Sequence, residues 1–266
     1  MEELVLYFSL KYDGDFNKIY QAILDKEPID EVLKNDLKKK LKCKYTTLFS
    51  HDYPESLKQI NCPPFVLYYY GDLSLINKKT IGVIVMRECD EYGRHATQYF
   101  TNKLVEKDYV IVSGMAKGVD SIAHTCAIEN KGKTIAVLGT GIEYCYPKEN
   151  RELYENLKKN HLVLSEYPFY TAPSKKLFPY RNRIVSALSS KILITQSKLK
   201  SGTMITAGYA LEQGKEVYCV PGRFYDYEGT NRLIEQGAHL VNDIKDIDET
   251  ENYSWQNKKI TYNSVH

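Results

Sequence analysis

The chain has 266 residues, 43% of them apolar, enough to fill the core of one large domain or of a large and a small one. Its 36 basic and 34 acidic side chains leave a net charge of only +2, so any nucleic-acid contact has to come from a local basic patch. Glu2 and Glu3 stand where a secretory leader carries positive charge, and no apolar run approaches the ~20 residues that span a bilayer, which together predict a cytoplasmic protein without membrane partners.

Residues 1–70 read as polar and helical, with apolar residues at three- and four-residue spacing over 16–24 and 29–41, separated by Pro28. The stretch 53–72, with Pro63, Pro64 and Gly71 around the apolar run 65–70, is too punctuated for a helix and reads as a connecting strand with turns. The pattern changes near residue 75. Short runs rich in Val and Ile follow at 80–85, 109–112, 134–138, 162–164, 192–195, 216–220 and 239–241, each leading through a loop into a stretch at helical spacing. They alternate little, as strands covered on both faces do, so the order predicts an α/β fold with a doubly wound, mainly parallel sheet. Pro147 suits a first helical turn, and Gly132, Gly214 and Gly237 sit where helices should stop. The expected organisation is a small helical domain with linker over 1–70, an α/β domain over 75–248 and a loose tail over 249–266.

In an open parallel sheet, ligands bind beyond the carboxyl ends of the strands, so the loops there are the places to search. Gly114, Lys117 and Gly118 form one glycine-rich turn and Gly139-Thr140-Gly141 another. Neither has the spacing of a nucleotide fingerprint, and each reads equally as a phosphate contact or as a tight strand-to-helix turn. Lys198-Leu199-Lys200-Ser201-Gly202-Thr203 joins a strand to a helix predicted over 204–213. Small residues there let backbone N–H groups approach an anion and Lys200 adds a charge, although Ser201 or Thr203 could simply cap the helix. Arg181 and Arg183, in Phe178-Pro179-Tyr180-Arg181-Asn182-Arg183, precede the apolar run 184–188 and so fall on the first turn of a predicted helix, where the macrodipole disfavours cations. They call for an anionic ligand or for an acidic partner such as Glu166.

Catalytic signals are sparse. Asp120 and His124 stand four apart on one predicted helix, but no nucleophile sits in an elbow and no H-E-x-x-H occurs. Glu143, Glu149 and Glu166 make no recognisable acid pair. The six cysteines are scattered without ligand spacing, so neither a metal nor a disulfide framework is expected, and no cofactor is called for. The 23 tyrosines suit base stacking, yet they also suit the codon bias of an A/T-rich coding sequence.

Six segments in order, SGMAKGVDSIAH from Ser113, GKTIAVLGTGIEYCYPKEN from Gly132, LSEYPF from Leu164, FPYRNRIVSALS from Phe178, KSGTMITAGYALEQGKEVYCVPG from Lys200 and GTNRLIEQGAHLV from Gly229, resemble the DNA-processing protein A (DprA/Smf) family. With the lead-in from Asp52 to Asp72, the resemblance covers about residues 50–247. It implies an extended Rossmann-like domain, preceded by a SAM-like helical domain, that binds single-stranded DNA, protects it and helps load the RecA recombinase during natural transformation, without catalytic turnover. It also implies a homodimer, for which Ile234 and Leu240 are the apolar residues to try first, although they could equally be core. Some members add a C-terminal winged helix, for which this chain closes too soon. The family's DNA pocket carries over to Arg87, Arg181, Asn182, Arg183, Lys200, Ser201 and Gly202, with Phe178 and Tyr180 as candidate stackers, Phe178 reading more readily as a core residue at the helix entry. One departure stands out. Where the family has Gly-Ser-Arg after its first Rossmann strand, this chain has Val85-Met86-Arg87, followed by Glu88 and Asp90. A protein that has lost its DNA pocket is therefore one alternative. Another is a nucleotide-binding enzyme of the lysine-decarboxylase-like group, whose P-G-G-x-G-T-x-x-E loop is matched only by Lys200-Ser201-Gly202-Thr203, with Thr206 in place of the acid.

Overall fold

The computed structural model describes residues 1–115, 119–225 and 228–248. Three helices open the chain: α1 (Glu2–Lys11), α2 (Phe16–Leu24) and α3 (Glu31–Lys40). The Asp15 carboxylate accepts from the Lys18 amide and the Asp30 carboxylate from those of Val32 and Leu33, each taking up orphan donors of a first helical turn. Strand β1 (Lys44–Thr47), the short helix α4 (Glu55–Lys58) and strand β2 (Val66–Gly71) follow. Then come β3 (Thr80–Val85), α5 (Glu91–Glu106), β4 (Val110–Ser113), α6 (Val119–Glu129), β5 (Thr134–Val137), α7 (Arg151–Asn160), β6 (Leu162–Ser165) and α8 (Leu177–Ala187). The chain continues through β7 (Lys191–Gln196), α9 (Gly202–Glu212), β8 (Glu216–Cys219), α10 (Glu228–Glu235), β9 (His239–Leu240) and α11 (Lys245–Asp248).

The nine strands form one sheet in the order β1-β2-β6-β5-β4-β3-β7-β8-β9. From β6 to β9 every pairing is parallel, and only β2 runs against the rest, pairing antiparallel with β1 on one side and β6 on the other. This is the doubly wound α/β fold read from the sequence. Strand β1 went unpredicted because it is short and half exposed, and only its pairing with the lead-in strand β2 reveals it.

Both faces of the sheet are covered, and the two-residue period of a strand sorts its side chains between them. Val110, Val112, Ile192 and Ile194 join one core with Ile184, Val185, Ala207 and Leu233 from α8, α9 and α10. Ile111 and Leu193 point the other way, into a core with Phe100 and Leu104 of α5 and Ala123 and Ala127 of α6. Helix α1 packs on that second face near the antiparallel edge, where Val5, Leu6 and Leu10 meet Val66, Tyr68 and Val163. The Tyr68 hydroxyl closes this contact by donating to Ser9 Oγ at 2.9 Å.

Several helix ends differ from expectation. Gly214 and Gly237 stop their helices at φ 64° and 105°, but at the end of α6 it is Lys131, at φ 60°, that takes the left-handed conformation, while Gly132 makes room for Val105. Pro147 does not begin α7; it follows a cis peptide after Tyr146 and precedes the one-turn helix Lys148–Asn150. Helix α8 begins at Leu177, seven residues before the predicted apolar run, because Pro179 is tolerated in a first turn. Arg181 and Arg183 therefore lie in the second turn, and the macrodipole argument for an anion beside them does not apply.

Candidate nucleic-acid interface

Strands β3 and β7 are parallel neighbours, yet the chain leaves β3 for α5 on one face of the sheet and leaves β7 for α9 on the other. Two loops that part in opposite directions open a crevice at the carboxyl end of the sheet. The crevice here is a cleft of about 630 Å³ whose walls are the Met86 to Glu88 turn, the first turns of α8, and the segment from Lys198 to Thr206.

Among the described residues four exposed cations surround it: Arg87, Lys175, Lys198 and Lys200. A fifth, Arg181, lies beneath the floor at 4% exposure, where its guanidinium donates to the Val137 carbonyl and its Nε to Asn182 Oδ1 at 3.1 Å. Burial pulls the Arg181 pKa down and the Arg87 charge adds to this, while Asp120 opposes it; a guanidinium remains protonated throughout. Glycine at 114 is a steric requirement of this arrangement, since a Cβ there would collide with both the Arg181 guanidinium and the Asp120 carboxylate. Glu88 and Asp120 are the carboxylates on the cleft wall. Asp90 is not among them: it accepts from the Gly93 amide as N-cap of α5 and from Gln196 Nε2 at 2.7 Å.

The turn after β7 presents the N-terminus of α9 to the cleft. Ser201 occupies the N-cap position but caps nothing with its side chain, which instead pairs with Ser197 Oγ at 2.9 Å. Gly202 has open space where a Cβ would stand. Thr203, also on the cleft wall, buries its hydroxyl without any protein partner. An unpaired buried hydroxyl costs about 1–3 kcal/mol, which an oxygen-rich ligand or a water would recover. Asn182 reaches across from α8, its Nδ2 donating to the Gly202 carbonyl at 3.4 Å. Lys200, Ser201, Gly202 and Asn182 are thus brought together as the sequence predicts.

Aromatic surface lines the same cleft. Phe178 is half buried: it packs over Gly139 on one side, and its ring lies 5.5 Å from that of Tyr146 and 5.4 Å from the Arg87 guanidinium. Tyr146 is exposed. Sequence reasoning missed Tyr146 and Lys175, and its only trace of them was the aromatic run before Pro147 and the basic pair Lys175-Lys176 before α8. Tyr180, the other candidate stacker, lies under the Arg183 guanidinium at 3.7 Å instead.

Arg183 is placed elsewhere. It is buried and forked onto Glu166 at 2.9 and 2.6 Å, and it also donates to the carbonyls of Cys62 and Tyr180. Burial opposes its charge, but the adjacent carboxylate more than restores it and the pKa is raised. The acidic partner allowed for in the sequence is therefore the one found, and Arg183 braces α8 against β6 and the lead-in rather than facing the cleft. Lys117 and Gly118 lie outside the described residues, and their partner Gly114 stands on the cleft floor.

Asp120 and His124 do not face each other as a pair. His124 is fully buried between the Gly114 carbonyl and the Thr134 hydroxyl, both at 2.6 Å. A carbonyl only accepts, so Nε2 carries the proton, and burial pushes the pKa down to about 4. Met86, standing where the resemblance leads one to expect serine, is buried and gives its amide to the Gln196 carbonyl at 3.1 Å, which spends that backbone donor within the sheet. Glu143 accepts from the Tyr70 hydroxyl at 2.5 Å, away from the cleft. Ile234 packs partly buried against the core, and Leu240 is 44% exposed. All six cysteines are free; burial pushes Cys43 and Cys219 up to about 12 and Cys126 to about 11, so these thiols are poor nucleophiles. Among the described residues no group of His, Cys, Asp and Glu is placed to hold a metal, and no helix is long and apolar enough to cross a membrane.

Comparison with known proteins gives a consistent result. The family described as DNA recombination-mediator protein A matches residues 44–252. DNA processing protein DprA of Bacillus subtilis is 43% identical over 203 residues, covering 75% of this chain and 68% of that protein, and its Streptococcus pneumoniae counterpart is 40% identical over 197 residues, covering 73% and 70%. The X-ray structure of S. pneumoniae DprA superposes with a TM-score of 0.78 at 32% identity, covering 96% of this chain and 94% of the other. The structure of DNA processing protein A from Helicobacter pylori, described for its single-stranded DNA binding mode, superposes with a TM-score of 0.71 at 33% identity, covering 80% and 99%.

Proposed function

The chain belongs to the DNA recombination-mediator protein A family, and from that premise we propose that it binds single-stranded DNA in the cleft between β3 and β7, without transforming it. The observation that carries the reading is the composition of the cleft: exposed cations on several sides of an aromatic pair, facing a helix N-terminus that no side chain caps. Cations and an open helix end suit phosphates, aromatic faces suit unpaired bases of any sequence, and a duplex keeps its bases out of reach.

In this reading Arg87, Lys175, Lys198 and Lys200 neutralise successive phosphates. Gly202 lets the backbone of α9 approach one of them, Ser201 and Asn182 hold that turn in place, and the Thr203 hydroxyl donates to an oxygen. Arg181 contributes a fixed positive field from below, and Phe178 with Tyr146 receives a base. Gly114 lines the same floor, and Lys117 and Gly118, which follow it in the sequence, are the residues of that turn proposed to meet a further phosphate. Arg183 acts on binding only by bracing α8. The H. pylori relative, described for its single-stranded DNA binding, supports the assignment.

Beyond binding, the proposal extends to protection of incoming DNA and RecA loading in the cytoplasm, with the protein acting as a homodimer. Leu240 is the exposed apolar position for a dimer contact and Ile234 supports it from the core edge. Fluorescence anisotropy with labelled single- and double-stranded oligonucleotides at two salt concentrations tests the binding step. Preference for the single strand, weakening with salt, is expected; equal or stronger duplex binding would overturn it. Stimulation of RecA-driven strand exchange on DNA coated with single-strand-binding protein tests the loading step.

A further inference from the structure

The loop after β8 carries a feature the cleft does not use. Phe224 is 99% exposed and its neighbour Tyr225 76% exposed. The base of the loop is nevertheless held firmly. Asn231 of α10 accepts from the Gly222 amide at 2.9 Å and donates to the carbonyls of Gly222 and Arg223, both at 3.3 Å. The Tyr92 hydroxyl donates to the Pro221 carbonyl at 2.8 Å, and the Arg223 guanidinium sits 5.7 Å from the Tyr92 ring. Two large aromatic side chains are therefore displayed in water from a fixed stalk. An aromatic pair left this exposed among the described residues marks a contact surface rather than a fold requirement.

The position of the loop says what that contact is. Strand β8 lies parallel to β7, so the loop leaves the sheet at the same carboxyl edge as the cleft. The start of α10 rests on the cleft turn: a Cβ at Gly229 would come within 2.8 Å of the carbonyl groups of Ser197 and Lys198. The stalk thus adjoins the backbone that carries Lys198 and Lys200. A protein interface of ordinary size buries about 800 Å² per partner, more than two side chains supply; the cation Arg223 precedes the pair, and Asp226, Tyr227 and Glu228 follow it in the sequence. Aromatic faces match the chemistry of unpaired nucleobases, and because the acids Asp226 and Glu228 follow the pair in the sequence, the phosphates of such a strand are left to Arg223, Lys198 and Lys200.

We propose that Phe224 and Tyr225 form a second stacking platform, which takes up the unpaired bases of a strand where it leaves the cleft past Lys198 and Lys200. The inference rests on the reading of the cleft as a single-stranded DNA site, and its test separates the two. Binding is measured on the full chain with labelled oligothymidylates of about 5 and about 15 nucleotides, the shorter filling the cleft alone and the longer reaching the loop. A Phe224→Ala/Tyr225→Ala double variant binds the short strand as the wild type does and the long strand at least about 10-fold more weakly, because both base stacks are lost. The ring-conserving Phe224→Tyr/Tyr225→Phe variant keeps wild-type affinity for both. Lys200→Ala weakens both lengths. An unchanged affinity of the double alanine variant for the long strand overturns the platform and leaves the cleft standing, as does a change in sedimentation behaviour with no length-dependent loss, which assigns the loop to contact between copies of the chain. Failure of the wild type to bind either length overturns the cleft reading and the platform with it.

Discussion

Replacing Lys200 with alanine removes one of the four exposed cations around the cleft, alongside Arg87, Lys175 and Lys198. Each cation that neutralises a phosphate of a single strand contributes about −0.7 to the slope of log affinity against log salt, so four predict about −2.8 and three about −2.1. Between ~50 and ~200 mM salt the wild type should lose about 50-fold in affinity and the Lys200→Ala protein about 20-fold. The cost of the substitution is itself salt-dependent: about 8-fold at ~50 mM and about 4-fold at ~150 mM, because fewer counterions are released into an already salty solution. Anisotropy titrations of one labelled oligothymidylate at four salt concentrations measure both quantities. Parallel lines for the two proteins would refute the reasoning, because a residue whose loss leaves the slope unchanged neutralises no phosphate.

Four other perturbations probe the surrounding architecture. Thr203→Val removes the unpartnered hydroxyl and should leave thermal stability within about 1 kcal/mol of wild type while weakening DNA binding several-fold; equal affinity would show that the hydroxyl meets only water. Glu166→Ala strands the buried Arg183 guanidinium and should cost about 3–5 kcal/mol in urea unfolding, while the folded protein should lose less DNA affinity than Lys200→Ala does and keep the wild-type salt slope. His124 has its pKa depressed from 6.5 to about 4 by burial, so the folded state resists its protonation. The stability this confers is complete above about pH 6.5 and is lost as pH falls towards 4, by about 2 kcal/mol at pH 5, and a His124→Gln variant should lack that part of the pH dependence in chemical denaturation. Gly114→Ala forces a methyl against Arg181 and Asp120 and should weaken DNA binding more than it lowers the unfolding midpoint, since the displaced groups lie directly under the cleft; intact binding would contradict this.

Much of this protein is legible from local pattern. The seven parallel strands come from short Val- and Ile-rich runs, because a strand buried on both faces must be apolar at every position, and their edges are right to within a residue or two. The position of Lys200-Ser201-Gly202 was legible for a related reason: small residues and a lysine after a Val- and Ile-rich run mark the turn from a strand into a helix, and the structure puts that turn on the cleft wall. The residues that the resemblance carried over part in the fold: Arg87, Asn182 and Lys200 line one cleft, whereas Arg183 is paired inside with Glu166, because a shared motif does not record which face of the helix a residue takes.

That last decision belonged to the tertiary structure. Arg181 and Arg183 are two residues apart on α8 and so point about 200° apart around its axis; one reaches under the cleft and the other must turn away from it. Which is which depends on where Glu166 and the Cys62 carbonyl lie, and these come from segments 17 and 121 residues distant in the chain. Tyr146 and Lys175 likewise reach the cleft from separate loops, and β1 exists only because β2 offers it an edge. The sequence by itself determined the layers of the fold and the small-residue turn between β7 and α9, because periodicity and backbone freedom are local properties. Only the folded chain decided which charges face the cleft and which are spent inside, because pairing a buried charge depends on residues that sequence order keeps apart.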